Sequence, residues 1–326
     1  MLHYLFRRVL YAIPILIGVN LITFALFFMV NSPDDMARMQ LGVKRVTPEA
    51  IQQWKAARGY DKPLFVNESA EGMGKVTETI FYKKSVTLFA GEFGRSEDGR
   101  EIGQEIRERM GPSLAIALPT FVVGLGLTIS LALMLVLFRG TWLDRTGVVI
   151  CVGLMSISSL FFIIGGQFVF ARVLKLVPIS GYDSNPWIAW HFLALPVAVS
   201  IVAGLGGSTR WYRTLFLEEI SRDYVRTAKA KGLSETRVLF GHVLRNGLIP
   251  ILTGVVVVIP SLFLGSLLIE SFFGIPGLGS YTIDAIAAQD FAVVRAMVFL
   301  GSVLYLIGLI LTDLSYTLVD PRIRLR

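Results

Sequence analysis

The chain has 326 residues, of which 54% are hydrophobic and only 17% are charged. Ordinary soluble proteins carry about 25% charged residues, so this composition excludes an ordinary soluble domain and indicates a chain surrounded largely by lipid. The formal net charge is +7. The basic residues concentrate in short segments on one side of the apolar runs, which is typical of membrane topology rather than nucleic-acid binding. Cys151 is the single cysteine, so an intrachain disulfide is excluded.

Six apolar segments predict about six transmembrane helices. They cover residues 9–30, 113–138, 147–171, 190–207, 248–270 and 293–318. The first, as an α-helix, is about 33 Å long, which is enough to cross a hydrocarbon core of about 30 Å. The fourth is short, and the glycines Gly204, Gly206 and Gly207 leave a bend as an alternative to a straight span. The predicted fold class is an all-α polytopic membrane protein.

Lysine and arginine in the short loops predict the orientation. Basic residues lie before the first segment, between the second and third, between the fourth and fifth, and after the sixth: Arg7, Arg8, Arg139, Arg145, eight residues between 208 and 247, Arg322, Arg324 and Arg326. The short loops on the opposite side carry few. Cytoplasmic loops are the ones enriched in lysine and arginine, so both termini are predicted to be cytoplasmic.

This orientation also predicts the organisation of the chain. Residues 1–30 form an N-terminal transmembrane helix, and residues 31–108 form an extracytoplasmic loop region. The membrane domain covers 109–318 and the cytoplasmic tail 319–326. Within the loop region, the stretch from Arg95 to Arg109 fits an amphipathic helix lying on the membrane surface.

The cytoplasmic segment 208–247 is the most informative part of the sequence. It predicts a short helix over Ser221 to Lys231 that breaks at Gly232, because a glycine tolerates the left-handed conformation that ends many helices. A second helix follows, with Ser234 as its N-cap. Tyr224 and Ala228 share one face of the first helix. Such a knob fits a groove of another protein, and an ordinary positive-inside loop is the alternative.

Sequence motifs for enzymatic chemistry are missing. Gly74 and Lys75 form the one Gly-Lys pair, and Val76 follows where a phosphate-binding loop needs Ser or Thr. No cluster of His, Cys and carboxylates has the spacing of metal ligands. We therefore predict no catalytic residue, no metal site and no cofactor bound by this chain.

Several fragments resemble a known family. The stretch DYVRTAKAKGLSETRVLFGHVLRNGLIPIL is similar to the cytoplasmic loop of binding-protein-dependent ABC permeases of the dipeptide and oligopeptide branch. Only Ala228, Gly232 and Leu244 match the general permease motif, a departure that is usual in the peptide branch. LFRRVLYAIPILIGVNLITF, GYDKPL, GEFGRS, IRERMGPSLAIAL, ESFFGIPGLGSYTIDAIAAQDFAVV and DLSYTLVDPRIR resemble the first of two paired permeases in such importers.

The resemblance implies a type I ABC importer transmembrane domain over 109–318, in the cytoplasmic (inner) membrane. It implies three kinds of partner besides membrane lipid: a homologous second permease, two ABC ATPase subunits that hold ATP and Mg, and an extracytoplasmic substrate-binding protein. It also implies that the ATPase subunits dock on a coupling helix within 208–247. The predicted coupling residues are Tyr224, Arg226, Ala228, Lys229, Ala230, Lys231, Gly232 and Leu233.

A second set of residues is predicted for the translocation path or the outer gate. Carboxylates near span ends can line water-filled cavities, and the Gly-rich turn with a proline is suited to shaping a gate. The residues are Glu270, Pro276, Gly277, Gly279, Asp284 and Asp313. Glu270 and Asp313 lie close enough to predicted span ends to contact solvent.

The predicted function is a non-enzymatic permease subunit that moves di- or oligopeptides across the membrane by alternating access. A nickel chelate, glutathione or a sugar is an alternative substrate for the same type of permease. A secondary transporter without an ATPase partner and a non-transporting membrane scaffold or receptor subunit are alternatives of another class.

Overall fold

The computed structural model describes residues 2–42 and 46–319, and these residues are predominantly helical. The predicted tail from residue 320 onward, with Arg322, Arg324 and Arg326, lies outside the described residues. The chain folds as two compact units. Among the described residues, the first contains those up to Arg109 together with Tyr281–Ile310, and the second contains Met110–Ser280 and residues 311–319.

The helices in the first part of the chain are short, apart from the first. In order they are α1 Leu2–Ala25, which continues as a π-helix over Leu26–Val30, α2 Pro33–Leu41, α3 Pro48–Arg58, α4 Gly74–Thr77 and α5 Ile80–Lys84, followed by a 3₁₀ turn over Val86–Ala90. Local sequence explains two of the starts. Ser32 forms a reciprocal capping box with Asp35 at α2, and Thr47 caps α3.

The core of the first unit is aromatic. Phe24 and Phe28, at the end of α1 and in its π-helical continuation, are buried with Met36, Trp54 and Tyr60. The rings of Phe28 and Tyr60 meet edge to face, with centroids 5.5 Å apart. These contacts hold α2, α3 and the segment that follows α3 onto the end of the first apolar helix.

Long helices dominate the rest of the chain. They are α6 Ile102–Leu137, α7 Trp142–Ser156, α8 Ser159–Gly166 with a π-helical continuation Gln167–Val173, α9 Pro186–Ile220, α10 Asp223–Ala230, α11 Glu235–Val238, a π-helix Leu239–Val243, α12 Leu244–Val258, a 3₁₀ turn Ile259–Leu264, α13 Leu267–Phe273, α14 Leu278–Ala287 and α15 Phe291–Val319. Among the described residues of the whole chain, five helical stretches are long and apolar enough to cross a membrane: Phe6–Val30, Ile102–Leu137, Trp187–Ile220, Glu235–Leu264 and Phe291–Ser315. The bent pair of α7 and α8 brings the candidate spans to six.

The third and fourth predicted segments differ in shape from expectation. The third, residues 147–171, is broken by a 90° bend between Trp142–Ser156 and Ser159–Val173. Ile157 has extended backbone, and Ser158 caps the next helix. The fourth, where a bend was an alternative, is part of the unbroken helix α9. Gly206 has no room for a side chain because the Cys151 carbonyl and Leu154 lie against it, so its glycine serves close helix packing.

The predicted surface helix over Arg95 to Arg109 is wrong. Residues from Arg95 to Glu101 form a turn closed by an antiparallel bridge between these two residues, with Gly99 at φ +80°. Helix α6 begins at Ile102 and continues without interruption into the second apolar segment. The left-handed glycine ends any helical path from Arg95, whereas the helix continues past Arg109 even though Gly111 and Pro112 follow.

Candidate functional site

The predicted cytoplasmic helix pair is present with the predicted break. Helix α10 covers Asp223–Ala230, and Gly232 follows with φ +78°. The Gly232 N–H donates to the Lys229 carbonyl at 2.9 Å. Ser234 then caps α11 through the Arg237 N–H at 3.4 Å. The local signals that predicted a left-handed helix end and a serine cap are therefore confirmed.

One face of α10 belongs to the core of the second unit. Val225 and Ala228 are buried among apolar side chains of α6, α9 and the α11 region, including Phe216, Val238 and Val243. Helix α10 is therefore packed onto the membrane domain of its own chain, and a displacement of α10 acts directly on the helices beneath it.

Tyr224 adds a polar anchor on this inner side. Its hydroxyl donates to Glu219 Oε1 at 2.7 Å, and its ring packs against the same core. Burial, reinforced by the carboxylate of Glu219, raises the pKa of Tyr224 to about 12. The phenol therefore stays protonated at physiological pH and keeps donating to Glu219. Tyr224 ties α10 to the end of α9.

Five other predicted coupling residues form the outer side of the turn and are exposed: Arg226, Lys229, Ala230, Lys231 and Gly232. Leu233 is partly buried and packs against the same core as Val225 and Ala228. Lys229 Nζ lies 3.1 Å from Glu235 Oε1, and Arg139 contacts the same carboxylate at 3.6 Å. The eight residues thus form two groups, an inner one that anchors the helix and an outer one that a partner can reach.

Sequence reasoning did not find the ion pair beneath this region. Arg213 of α9 donates from Nε and Nη2 to the two carboxylate oxygens of Asp144 in α7, both at 2.8 Å, and Asp144 is 5% exposed. Asp144 also accepts the Gly140 N–H at 3.1 Å. A bidentate pair has strict geometry, so it fixes α7 against the part of α9 that leads to α10. The sequence signal that could have indicated this ion pair is the carboxylate of Asp144 at the start of an apolar run.

Glu270 lies at the centre of a second, fully enclosed site. Its side chain is 0% exposed. One carboxylate oxygen accepts the Ser266 N–H at 3.1 Å and the other accepts the Ser280 N–H at 3.0 Å. Ser113 of α6 hydrogen-bonds the same carboxylate and accepts the Leu278 N–H at 2.8 Å. The expectation that Glu270 contacts solvent is wrong, because the chain folds back on itself around this carboxylate.

Glycines make this enclosure possible. At Gly277 an added Cβ would collide with the Glu270 carboxylate and lie 2.5 Å from the Ser113 hydroxyl. At Gly279 it would lie 2.6 Å from the Ser266 carbonyl oxygen, which is backbone and has little freedom to move. Gly265 also faces Glu270 and has φ +69°. We call Ser113, Gly265, Glu270, Gly277, Gly279 and Ser280 the Glu270 cluster.

The remaining predicted pathway residues lie outside the Glu270 cluster. Pro276 is exposed in the turn beside it, and Asp284 is exposed on α14 in the first unit. Asp313 is partly buried near the end of α15. The structure therefore brings three of the six predicted pathway residues, Glu270, Gly277 and Gly279, together in one buried cluster, and their role in the translocation path or outer gate stays a prediction.

The family follows from this fold and from sequence comparison. A family model described as the binding-protein-dependent transport system inner membrane component matches residues 123–325, and the N-terminal model of such membrane components matches residues 1–111. The chain belongs to this family. It is a multi-pass protein of the inner membrane with the fold of a type I ABC importer permease, as the sequence predicted.

Two relatives align over nearly the whole chain. The oligopeptide transport system permease protein AppB of Bacillus subtilis is 30% identical, with 99% of each chain covered. The glutathione transport system permease protein GsiC of Salmonella paratyphi A is also 30% identical, again over 99% of each chain. The alignments therefore include the short helices of the first part of the chain as well as the long apolar ones.

Proposed function

We propose that this chain is the permease subunit of an ATP-driven importer that translocates di- or oligopeptides. The observation that carries the proposal is the construction of α10. Arg226, Lys229, Ala230, Lys231 and Gly232 are exposed on its outer side, while Val225 and Ala228 hold its inner face in the core. A helix that presents one side to a partner and fixes the other to the spans is suited to transmitting movement between them.

The proposed partners follow from this division of α10. Two ABC ATPase subunits contact the outer turn of this chain and of a homologous second permease, and they hold ATP and Mg. An extracytoplasmic substrate-binding protein delivers the substrate. Exposed ion pairs are worth about 0–1 kcal/mol, so Arg226, Lys229 and Lys231 serve orientation, and the shape of the turn supplies most of the contact.

Alternating access gives α10 its mechanical role. When ATP closes the ATPase subunits, the turn at Gly232 moves with them, and the movement passes through Val225 and Ala228 to α9 and α12. The Asp144–Arg213 pair carries the movement of α9 to α7, because its bidentate geometry resists sliding. This sequence of contacts links ATP hydrolysis to the opening and closing of the spans.

Glutathione is a second candidate substrate. GsiC, whose name specifies glutathione transport, is as similar to this chain as AppB, whose name specifies oligopeptides. Both ligands are peptides in the chemical sense, with free amino and carboxylate groups. A secondary transporter is not favoured, because the chain belongs to a family that depends on binding proteins.

Co-purification tests the proposal. The tagged chain is extracted from its native membrane in mild detergent, the co-purifying proteins are identified by mass spectrometry, and ATPase activity is assayed. We expect a second permease and ATP-hydrolysing subunits. Reconstituted complexes with the cognate binding protein are then supplied with labelled peptides or labelled glutathione. Recovery of the chain alone, without ATPase activity, contradicts the importer assignment, and uptake of glutathione but not of other peptides would replace the substrate assignment.

A further inference from the structure

The first unit contains two adjoining cavities of about 310 and 450 Å³ that take no part in the sites described above. Four residues line both cavities, three of them cationic and one small: Arg58, Lys84, Arg95 and Ala292. Lys83 and Arg295 also line the smaller one. We call the two together the basic cavity. Its cations come from α3, α5, the turn before α6 and α15, so four separate elements converge on it.

Acidic residues do not balance this charge. Five cationic side chains line the basic cavity, against the two carboxylates of Glu92 and Glu97. Glu97 is already engaged, because Arg58 Nε donates to it at 2.6 Å. Asp290 interacts electrostatically with Arg295, but its two oxygens accept backbone N–H groups at 2.7 and 3.1 Å. A surplus of positive charge therefore remains around the cavity.

Arg295 is the most informative of these cations. It is 4% exposed, and among the described residues its Nε and Nη1 atoms have no hydrogen-bond acceptor. Its guanidinium lies 5.2 Å above the ring of Phe28 and is hydrogen-bonded to Tyr60. Buried guanidinium N–H groups without an acceptor cost free energy, and an anion in the basic cavity offers the acceptors that the chain does not provide.

Lys84 adds a second cation without a carboxylate partner in the described part of the chain. Its Nζ lies 5.0 Å from the centre of the Tyr60 ring. Burial, with the charge of Arg295 as a further cause, lowers the pKa of Lys84 to about 8. Loss of water around the ammonium group destabilises its charged form, and repulsion from Arg295 adds to this effect. A bound anion next to Lys84 would stabilise the charged form.

We propose that the basic cavity binds a phosphate group. Guanidinium and ammonium groups from several directions match a tetrahedral anion with several acceptor oxygens, and arginine is especially suited to phosphate. The cavity is also much larger than a single carboxylate requires. Arg295 lies near the start of the candidate span Phe291–Ser315. Headgroup phosphates lie at the ends of membrane spans, so a lipid headgroup is the favoured source and inorganic phosphate is the other.

The test uses the full-length chain, purified in a detergent without phosphate together with whatever subunits remain bound. Thermal unfolding is followed while inorganic phosphate, or dihexanoyl phosphatidylglycerol below its micelle concentration, is titrated at constant ionic strength against chloride. We expect saturable stabilisation of the wild-type chain. Arg95→Gln and Lys84→Met should weaken the apparent affinity at least tenfold. Lys75→Gln, which removes an exposed charge of the same unit away from the cavity, should have no effect.

Comparing inorganic phosphate with dihexanoyl phosphatidylglycerol distinguishes free phosphate from a lipid headgroup as the source of the bound phosphate group. Stabilisation by the phospholipid at concentrations where inorganic phosphate has no effect supports a lipid headgroup, and stabilisation by both at similar concentrations supports free phosphate. Arg295→Gln should abolish binding if the variant folds. Because Arg95 is exposed, Arg95→Gln keeps the test valid if Arg295→Gln does not fold. Absence of saturable stabilisation, or equal stabilisation of wild type, Arg95→Gln and Lys84→Met, overturns the proposal.

Discussion

The buried carboxylate of Glu270 shows how single residues define the region before α14. Its two oxygens accept N–H groups from Ser266 and Ser280, on both sides of the Gly-rich turn, and Ser113 joins the same carboxylate from α6. Both sides of the turn are thus held to one group in the interior. The geometry makes Glu270 a connector between chain segments, and any role in transport depends on that rigidity.

Glu270→Gln tests whether the Glu270 carboxylate connects these chain segments. A glutamine has one acceptor oxygen, so its NH₂ group must face either the Ser266 or the Ser280 N–H, and we expect a loss of about 1–3 kcal/mol in stability. Thermal unfolding of the purified chain measures the change. The matched control is Asp284→Asn, which alters an exposed carboxylate and should leave the unfolding midpoint unchanged. Equal stability of Glu270→Gln and wild type would contradict the connector role.

At the scale of elements, α10 is defined by what ends it and by what lies beneath it. Gly232 has φ +78°, and no heavy atom lies within 4 Å of the position that its Cβ would occupy. A larger residue there meets open space, so the expected penalty is backbone strain of about 1–2 kcal/mol. Val225 and Ala228 transmit any resulting change in α10 to the core.

Gly232→Leu is expected to leave the complex assembled while reducing substrate uptake severalfold, because the strained turn no longer fits its partner. Gly232→Asn is the matched control, since asparagine tolerates the left-handed conformation and should retain most of the uptake. Uptake and ATPase activity are measured in the same vesicles. Normal transport by Gly232→Leu would exclude a coupling role for this turn.

The Asp144–Arg213 ion pair also connects secondary-structure elements, because it joins α7 to α9. Asp144→Asn leaves the largely buried guanidinium of Arg213 without its charge partner, and we expect a loss of about 1–3 kcal/mol. The double variant Asp144→Leu/Arg213→Met should be closer in stability to wild type than either single variant. Thermal unfolding of wild type, Asp144→Leu, Arg213→Met and the double variant measures the coupling, and strictly additive losses would show that the pair does not act as a unit.

The whole molecule is a multi-pass membrane protein of two units that differ in construction. The first unit has capped short helices with an aromatic core, and in the second unit α10 ends in a basic turn. Lysine and arginine bias in the short loops predicts that α10 is cytoplasmic and that residues 31–108 are extracytoplasmic. The orientation has consequences for both proposals, because the ATPase subunits must reach α10 and the basic cavity must face the outer leaflet.

Cysteine labelling tests the orientation. Cys151 is buried, so Cys151→Ala provides a background without thiols. Met73→Cys, at a position that is 86% exposed, should react with a membrane-impermeant maleimide in spheroplasts. Lys231→Cys should react only in inverted vesicles. The opposite pattern would reverse the predicted topology and place α10 out of reach of an ATPase.

Four features are predicted from local sequence signals alone: the number and approximate position of the spans, the turn at Gly232, the cap at Ser234 and the family. These depend on features that are local along the chain: continuous apolar runs, a residue that tolerates positive φ, and a hydroxyl followed by free N–H groups. The sequence did not reveal the bend at Ile157, because an apolar run looks the same whether a helix continues or turns within it.

Contacts between side chains that are distant in sequence depend on tertiary packing. Asp144 and Arg213 are 69 residues apart in sequence, and Ser113 and Leu278 are 165 apart. The folding of distant helices against each other buries Glu270, turns Tyr224 and Ala228 inward, and gathers the cations of the basic cavity. Burial and pairing depend on contacts across the fold, and a single sequence specifies those contacts only through the free energy of the whole chain.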